Sequence, residues 1–168
     1  MASFSDMPDA AAVYRELAAA VLGYLRASGT ADPEDILGEV FLQVARDLPG
    51  FRDAGDPEAR RRWVFTIARH RVIDAARRAR RQPALVPGDL PERAAPPVED
   101  DLDPVLVAAL QSLTEDQREV LALRFVAYLA LDDVATLTGR SVGAVKALQH
   151  RALENLRSAV SPEVPPAL

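Results

Sequence analysis

The sequence predicts an all-α fold, with two small helical domains joined by a Pro-rich acidic linker and a helix-turn-helix in the C-terminal domain. Three observations carry that expectation. Aromatic residues make up only 5% of the chain and glycine only 8 of 168 positions, while Ala, Leu, Arg and Glu abound, a composition that favours helices over sandwiches or barrels. Apolar residues recur at helical spacing rather than in alternation. From Gln82 to Pro104 there are six prolines and the acids Glu99, Asp100, Asp101 and Asp103, which forbid a continuous helix and read as an extended spacer. The chain therefore divides into a domain at 1–82, a linker at 83–107, a domain at 108–160 and a tail at 161–168, where Pro162, Pro165 and Pro166 recur.

Each element has its own signal. Val13, Leu17, Ala20, Val21, Tyr24 and Leu25 make one apolar stripe, so a helix is expected over about 10–27. Asp32 followed by Pro33 marks the next start, an N-cap with proline at the first helical position. That helix buries Ile36, Val40, Val44 and Phe41 and stops at Pro49 and Gly50. After a loop at 51–55, Asp56 and Pro57 open a long helix reaching about Arg81. In the second domain Thr114 and Gln117 form a capping box, and the helix they open runs through Leu121 and Phe125. A short helix at 131–137, a turn at Thr138, Gly139 and Arg140, and a long helix at 141–160 complete a helix-turn-helix pattern.

The formal charge of −5 and pI of about 5.1 look unfavourable for nucleic acid, but the charges are unevenly spread. Residues 1–59 carry four Arg and 11 acids, net −7, and residues 82–117 carry one Arg and eight acids, again net −7. Between them, residues 60–81 hold nine Arg against one acid, Asp74, net +8, and 118–168 is net +1. Charges beyond a Debye length of about 8–10 Å are screened, so the arginine block keeps its own field and points to a polyanion partner. The acidic blocks are expected to repel random DNA from the free chain. With no cysteine, disulfide frameworks, thiolate zinc sites and thiol nucleophiles are excluded. No apolar run approaches the ~20 residues of a membrane span and the N-terminus lacks a signal-peptide pattern, so a cytoplasmic protein without membrane insertion is expected.

On a helical wheel the last helix buries Val145, Leu148, Ala152 and Leu156 and turns Gly143, Lys146, Ala147, His150, Arg151 and Glu154 outward. Small and basic residues suit close approach to a duplex; Lys146 or Arg151 fits guanine edges and Ala147 a thymine methyl. In the arginine helix Val64, Ile67, Ala68, Val72, Ala75 and Ala76 form the buried stripe. Arg62, Thr66, Arg69, His70, Asp74 and Arg77 share the opposite face, with Trp63 at its edge. Trp63 reads two ways, as a platform for an unpaired base or as an anchor against the neighbouring helix. Arg77, Arg78, Arg80 and Arg81 fit phosphate contacts. His70 and Asp74 lie four apart but lack further ligands nearby in sequence, and no phosphate loop or nucleophile elbow exists. Neither a cofactor nor an enzymatic activity is expected.

The order Asp35-Ile-Leu-Gly-Glu39-Val-Phe-Leu-Gln43, Trp63-Val-Phe-Thr-Ile-Ala-Arg-His-Arg-Val-Ile-Asp74-Ala-Ala-Arg-Arg78, Gln117-Arg-Glu-Val-Leu-Ala-Leu-Arg-Phe125 and Gly139-Arg-Ser-Val-Gly-Ala-Val-Lys-Ala-Leu-Gln-His-Arg-Ala-Leu153 resembles the extracytoplasmic-function (ECF) sigma factors. The resemblance implies regions 2 and 4, contacts to RNA polymerase core at the β′ clamp and β flap, and binding of the −10 and −35 promoter elements. It places Asp35, Glu39, Phe41, Leu42 and Gln43 against core. Trp63, Thr66, Arg69, His70, Arg77, Arg78, Arg80 and Arg81 would meet the −10 element, and the loop at 51–56 would capture a flipped base. Arg140, Ser141, Lys146, Ala147, His150 and Arg151 would lie in the −35 groove. It also implies an anti-sigma factor as partner and a linker running toward the active-centre cleft. Three positions depart from the family pattern. Gly38 replaces the usual Gln on the core-binding helix, His70 the usual Asn, and Ala130 the usual Ser or Thr cap, the last costing about 1 kcal/mol unless Asp132 or Asp133 compensates. The rival reading is a stand-alone, dimeric duplex-DNA regulator that never meets polymerase, and a metal-dependent enzyme using His70 and Asp74 is a distant third.

Overall fold

The computed structural model describes residues 8–82 and 104–161; the expected linker between 83 and 103 and the tail beyond 161 lie outside the described residues. Among the described residues the chain is helical throughout, with no strand. The helices are α1 (Ala10–Ala27), α2 (Pro33–Asp47), α3 (Pro57–Arg81), α4 (Pro104–Ser112), α5 (Glu115–Leu121), α6 (Leu131–Thr138) and α7 (Val142–Val160). A 3-10 turn at Leu48–Gly50 follows α2, and a π-helical segment at Ala122–Val126 continues α5.

Most start signals are realised by side chains. The Asp9 carboxylate accepts from the Ala12 amide at 2.6 Å, and the Asp56 carboxylate from the Glu58 amide at 3.0 Å. Thr114 and Gln117 exchange both bonds of the capping box. Asp32 stands at the N-cap of α2 but makes no side-chain capping bond. Pro33 has no amide to offer there, and Glu34 satisfies its own, which with Arg26 at 3.2 Å holds the Glu34 carboxyl below the usual carboxylate range. Ala130 likewise leaves α6 without a side-chain cap, and Asp132 and Asp133 supply only negative charge to its first turn.

Helix α4 begins at Pro104, within the stretch expected to be linker. Proline at the first helical position is pre-set in φ and needs no amide partner there, so the last linker proline serves as a start signal. The expected α5 extension through Phe125 changes from α to π at Ala122, and Arg124 Nη1 then donates to the Leu129 carbonyl at 2.6 Å. Tyr128, at φ 56° and 75% exposed, turns the chain into α6.

Helices α1, α2 and α3 pack around Val13, Leu17, Val21, Tyr24, Leu25, Val40, Val44, Val64 and Phe65. Tyr24 and Phe65 meet edge to face at 5.8 Å, a preferred aromatic geometry. That core does not stop at α3. Val120, Ala122, Leu123, Ala127, Leu129, Val134, Ala135 and Val145 belong to the same cluster, so the two halves share one hydrophobic interior. A second small cluster, Leu113, Leu121 and Ala152 with Leu110 and Leu156, ties α4 and α5 to α7.

Candidate nucleic-acid interface

The buried stripe of α3 ends earlier than its periodicity predicts: Val64, Ile67 and Ala68 are buried, Val72 and Ala75 are half-buried, and Ala76 is exposed. The helix outruns the domain that covers it, so its last turns, with Arg77, Arg78, Arg80 and Arg81, stand in solvent. Phe65, absent from the expected stripe, is fully buried.

The nine arginines of this block differ in what they do. Arg60 is buried, donates to the Ala54 carbonyl and pairs with Glu16 at 2.7 Å; it secures α3 to α1 and the 51–56 loop. Arg71 donates to Gln43 at 2.8 Å, and both Arg71 and Arg78 lie near Glu39, at 3.6 and 3.7 Å. Arg61, Arg62 and Arg69 reach the other half of the molecule. Arg61 donates to the Ala127 carbonyl at 3.2 Å, Arg62 pairs with Asp133 at 3.2 Å, and Arg69 with Glu119 at 2.8 Å. A cleft of about 500 Å³ between the start of α3 and the start of α6 is lined by Pro57, Arg61, Arg124, Tyr128 and Asp133, among others.

Trp63 is half-buried and stacks on Phe51 at 4.5 Å with an 11° interplanar angle. Phe51, in the loop at 51–56, covers one face of the Trp63 ring, and both side chains pack against the core cluster. Thr66 is half-buried and bonds back to the Arg62 carbonyl, whereas His70 is exposed. His70 and Asp74 gather no third ligand: among the described residues no cluster of three or more His, Cys, Asp or Glu side chains is placed to hold a metal.

The helix-turn-helix is formed as its pattern predicts. Gly139 adopts φ 67°, the left-handed conformation glycine enters without strain, and the Ser141 hydroxyl caps α7 by accepting from the Ala144 amide. Val145 and Ala152 are buried, Leu148 and Leu156 half-buried, and Lys146, His150 and Arg151 exposed beside the half-buried Ala147. Arg140 pairs with Asp116 at 2.7 Å, and His150 lies 3.9 Å from Glu154.

On α2, Asp35, Glu39, Leu42 and Gln43 share one face by their spacing of four, seven and eight, and Leu42 is 65% exposed. Phe41 points elsewhere: it is buried and meets Tyr14 edge to face at 4.9 Å. Tyr14, itself half exposed, is a surface aromatic that sequence pattern did not single out; only its position off the α1 stripe distinguishes it. Glu119 and Asp133, which pair with Arg69 and Arg62 of α3, carry no sequence signal that joins them to that helix. Burial, and then the charge of Glu119, push the Tyr24 phenol up, and its hydroxyl has no hydrogen-bond partner.

Comparison with known proteins converges on one family. The Sigma-70 region 2 family matches residues 11–82, and Sigma-70, region 4 matches residues 109–158. The ECF RNA polymerase sigma factor ShbA of Streptomyces griseus is 40% identical over 140 residues, spanning 74% of this chain and 70% of that protein. The ECF RNA polymerase sigma factor SigD of Mycobacterium tuberculosis is 36% identical over 146 residues, spanning 83% and 68%. In fold, the chain is similar to the sigma factor RpoE of Bartonella quintana, solved with the anti-sigma factor NepR, at a TM-score of 0.63 and 20% identity over 89% of this chain and 96% of that one. No described helix is long and apolar enough to cross a membrane. With both sigma regions matched in order on an all-helical frame, the chain belongs to the ECF sigma factors, the alternative sigma factors that direct RNA polymerase to promoters.

Proposed function

We propose that the chain joins RNA polymerase core through the exposed face of α2, Asp35, Glu39, Leu42 and Gln43, with Phe41 buttressing that helix from behind and Tyr14 beside it. The observation that carries this reading is the apolar pair Leu42, 65% exposed, and Tyr14, 47% exposed and set against Phe41, on the outer side of α1 and α2 within the stretch that the Sigma-70 region 2 family matches. From there α3 meets the −10 element through Trp63, Thr66, Arg69 and His70, while Arg77, Arg78, Arg80 and Arg81 hold phosphates. Helix α7 enters the −35 major groove with Lys146, Ala147, His150 and Arg151, and Arg140 and Ser141 at its start meet the backbone. The domains act as units divided at 1–82 and 108–160 around the linker, and the β flap receives the second one. The protein acts in the cytoplasm, performs no chemistry itself and needs no cofactor; it stabilises the melted −10 strand. As RpoE is solved with the anti-sigma factor NepR, an anti-sigma factor is the partner we expect to hold this chain inactive.

Co-purification with core polymerase tests the reading. Wild-type protein should be retained by core, and Leu42→Asp, an exposed substitution that leaves the helical circular dichroism unchanged, should lose retention at least tenfold. A protein that binds promoter duplex tightly alone, as a dimer, and is never retained by core would establish the rival regulator instead.

A further inference from the structure

We propose that Asp116 is a positioning residue for promoter recognition: resting on the assignment of Arg140 to the −35 backbone made above, it holds that guanidinium in place and so fixes how α7 sits in the groove. Asp116 Oδ1 of α5 lies 2.7 Å from Arg140 Nη2, the two side chains being 52% and 33% exposed. The backbone around Arg140 is set from both sides. Its amide donates to the Ala135 carbonyl at 3.0 Å and that of Gly139 to the Thr136 carbonyl at 3.3 Å, closing α6 over the left-handed glycine. The Ser141 hydroxyl then caps α7 by accepting from the Ala144 amide at 3.1 Å. What is left free is the arginine side chain, and Asp116 restrains it. Asp116 itself stands on a firm base, in the first turn of α5 behind the capping box of Thr114 and Gln117, and Arg118 ties that helix to the Leu113 carbonyl at 3.1 Å.

An ion pair this exposed adds little to stability, so the fold has small need of it, but its place suits another use. A long arginine side chain loses rotamer freedom when it binds, and one already held loses less. The contact is made through Nη2, and the guanidinium fork has further donors to offer a phosphate. Phosphate contacts set the register and orientation of a recognition helix, while its base contacts read sequence. Arg140 stands directly ahead of α7, so anchoring it sets the angle at which Lys146, Ala147 and Arg151 approach the base edges. The role also has a distinctive sign. A carboxylate beside DNA repels it, so removing the Asp116 charge strengthens attraction to any DNA while it releases Arg140; general binding and discrimination should therefore move in opposite directions.

The test uses holoenzyme reconstituted from core polymerase and the full chain, at one fixed salt concentration. Its probes are a fluorescein-labelled promoter duplex that wild-type holoenzyme selects from a pool randomised over the −35 region, and the same duplex with that region scrambled. Asp116→Asn should bind the selected duplex about threefold more weakly, the scale of an exposed ion pair, and the scrambled duplex no more weakly than wild type, with the thermal midpoint of the chain unchanged. In an Arg140→Ala background the same substitution should alter discrimination by less than about 1.5-fold, because the side chain it positions is gone. Asp132→Asn, on an exposed acid of the same half, should affect both duplexes alike. Equal tightening on both duplexes by Asp116→Asn would reduce Asp116 to a repelling charge, and equal weakening with a lower midpoint would reduce it to a support of the fold. Either result overturns the proposal, as does an undiminished effect without Arg140. If Arg140→Ala alone leaves discrimination intact, or wild-type holoenzyme selects no −35 sequence, the assignment of Arg140 fails and this inference with it. If Arg140→Ala lowers discrimination and Asp116→Asn does not, the inference alone fails.

Discussion

Arg60 shows why residue type alone misleads in a block this basic. Nine arginines in 22 positions point to nucleic acid, but one of them is buried against Glu16 and the Ala54 carbonyl, a distinction that depends on which neighbours cover the helix and is invisible in linear spacing. Arg60→Ala should therefore lower stability by about 1–2 kcal/mol in urea titration, because it strands the Ala54 carbonyl and removes the buried guanidinium's pairing with the exposed Glu16. Arg80→Ala with Arg81→Ala should leave stability unchanged and lower the salt slope of DNA binding. Tyr24 offers a second residue-scale check. Its phenol stays protonated in the folded chain where an unfolded tyrosine ionises near pH 10, so stability should fall as pH rises past about 10. Tyr24→Phe should abolish that fall and, because the hydroxyl is buried without a partner, leave neutral-pH stability equal or up to about 1 kcal/mol higher.

At the scale of elements the sequence was most legible where local chemistry decides the outcome. The starts of α3, α5 and α7, the left-handed Gly139 turn and the inward stripe of α7 all follow from caps and periodicity. The π-helical segment and α4 did not, the first because its backbone is set by packing under α1 and α6, the second because a proline-rich stretch hides a helix start in its last proline. Gly38 is a remaining local weakness: it is exposed on α2 with nothing within 4 Å of an added β-carbon. Gly38→Ala should raise stability by about 0.5–1 kcal/mol, seen as a higher thermal midpoint, and no gain would mean that α2 is held by its packing alone. On α7, Lys146→Ala or Arg151→Ala should cost about 1–3 kcal/mol at a cognate −35 element and little on unrelated DNA. An equal loss on both would limit these residues to phosphate contact.

For the whole molecule, the acidic total proved a poor guide and its distribution a better one. The charge blocks led to the arginine helix, but the carboxylates found on its arginines were not anticipated. They come from Glu16 and Glu39 within the first half and from Glu119 and Asp133 across the domain boundary, the last two in a block whose net charge is only +1. No spacing rule joins positions 50 and 71 residues apart, the separations of Arg69 from Glu119 and of Arg62 from Asp133; only the shared core does. The two-domain organisation was readable from proline placement, whereas the closeness of the domains was not, because it rests on matching apolar surfaces rather than on any motif. The account's central claim is that this chain, loaded on core polymerase, holds melted promoter DNA on α3. Permanganate reactivity of thymines in a cognate −10 element tests it most directly. Reactivity should appear only when core and this protein are both present and should drop severalfold with Trp63→Ala; reactivity with core alone, or none with the assembled holoenzyme on a promoter it binds, would contradict the claim.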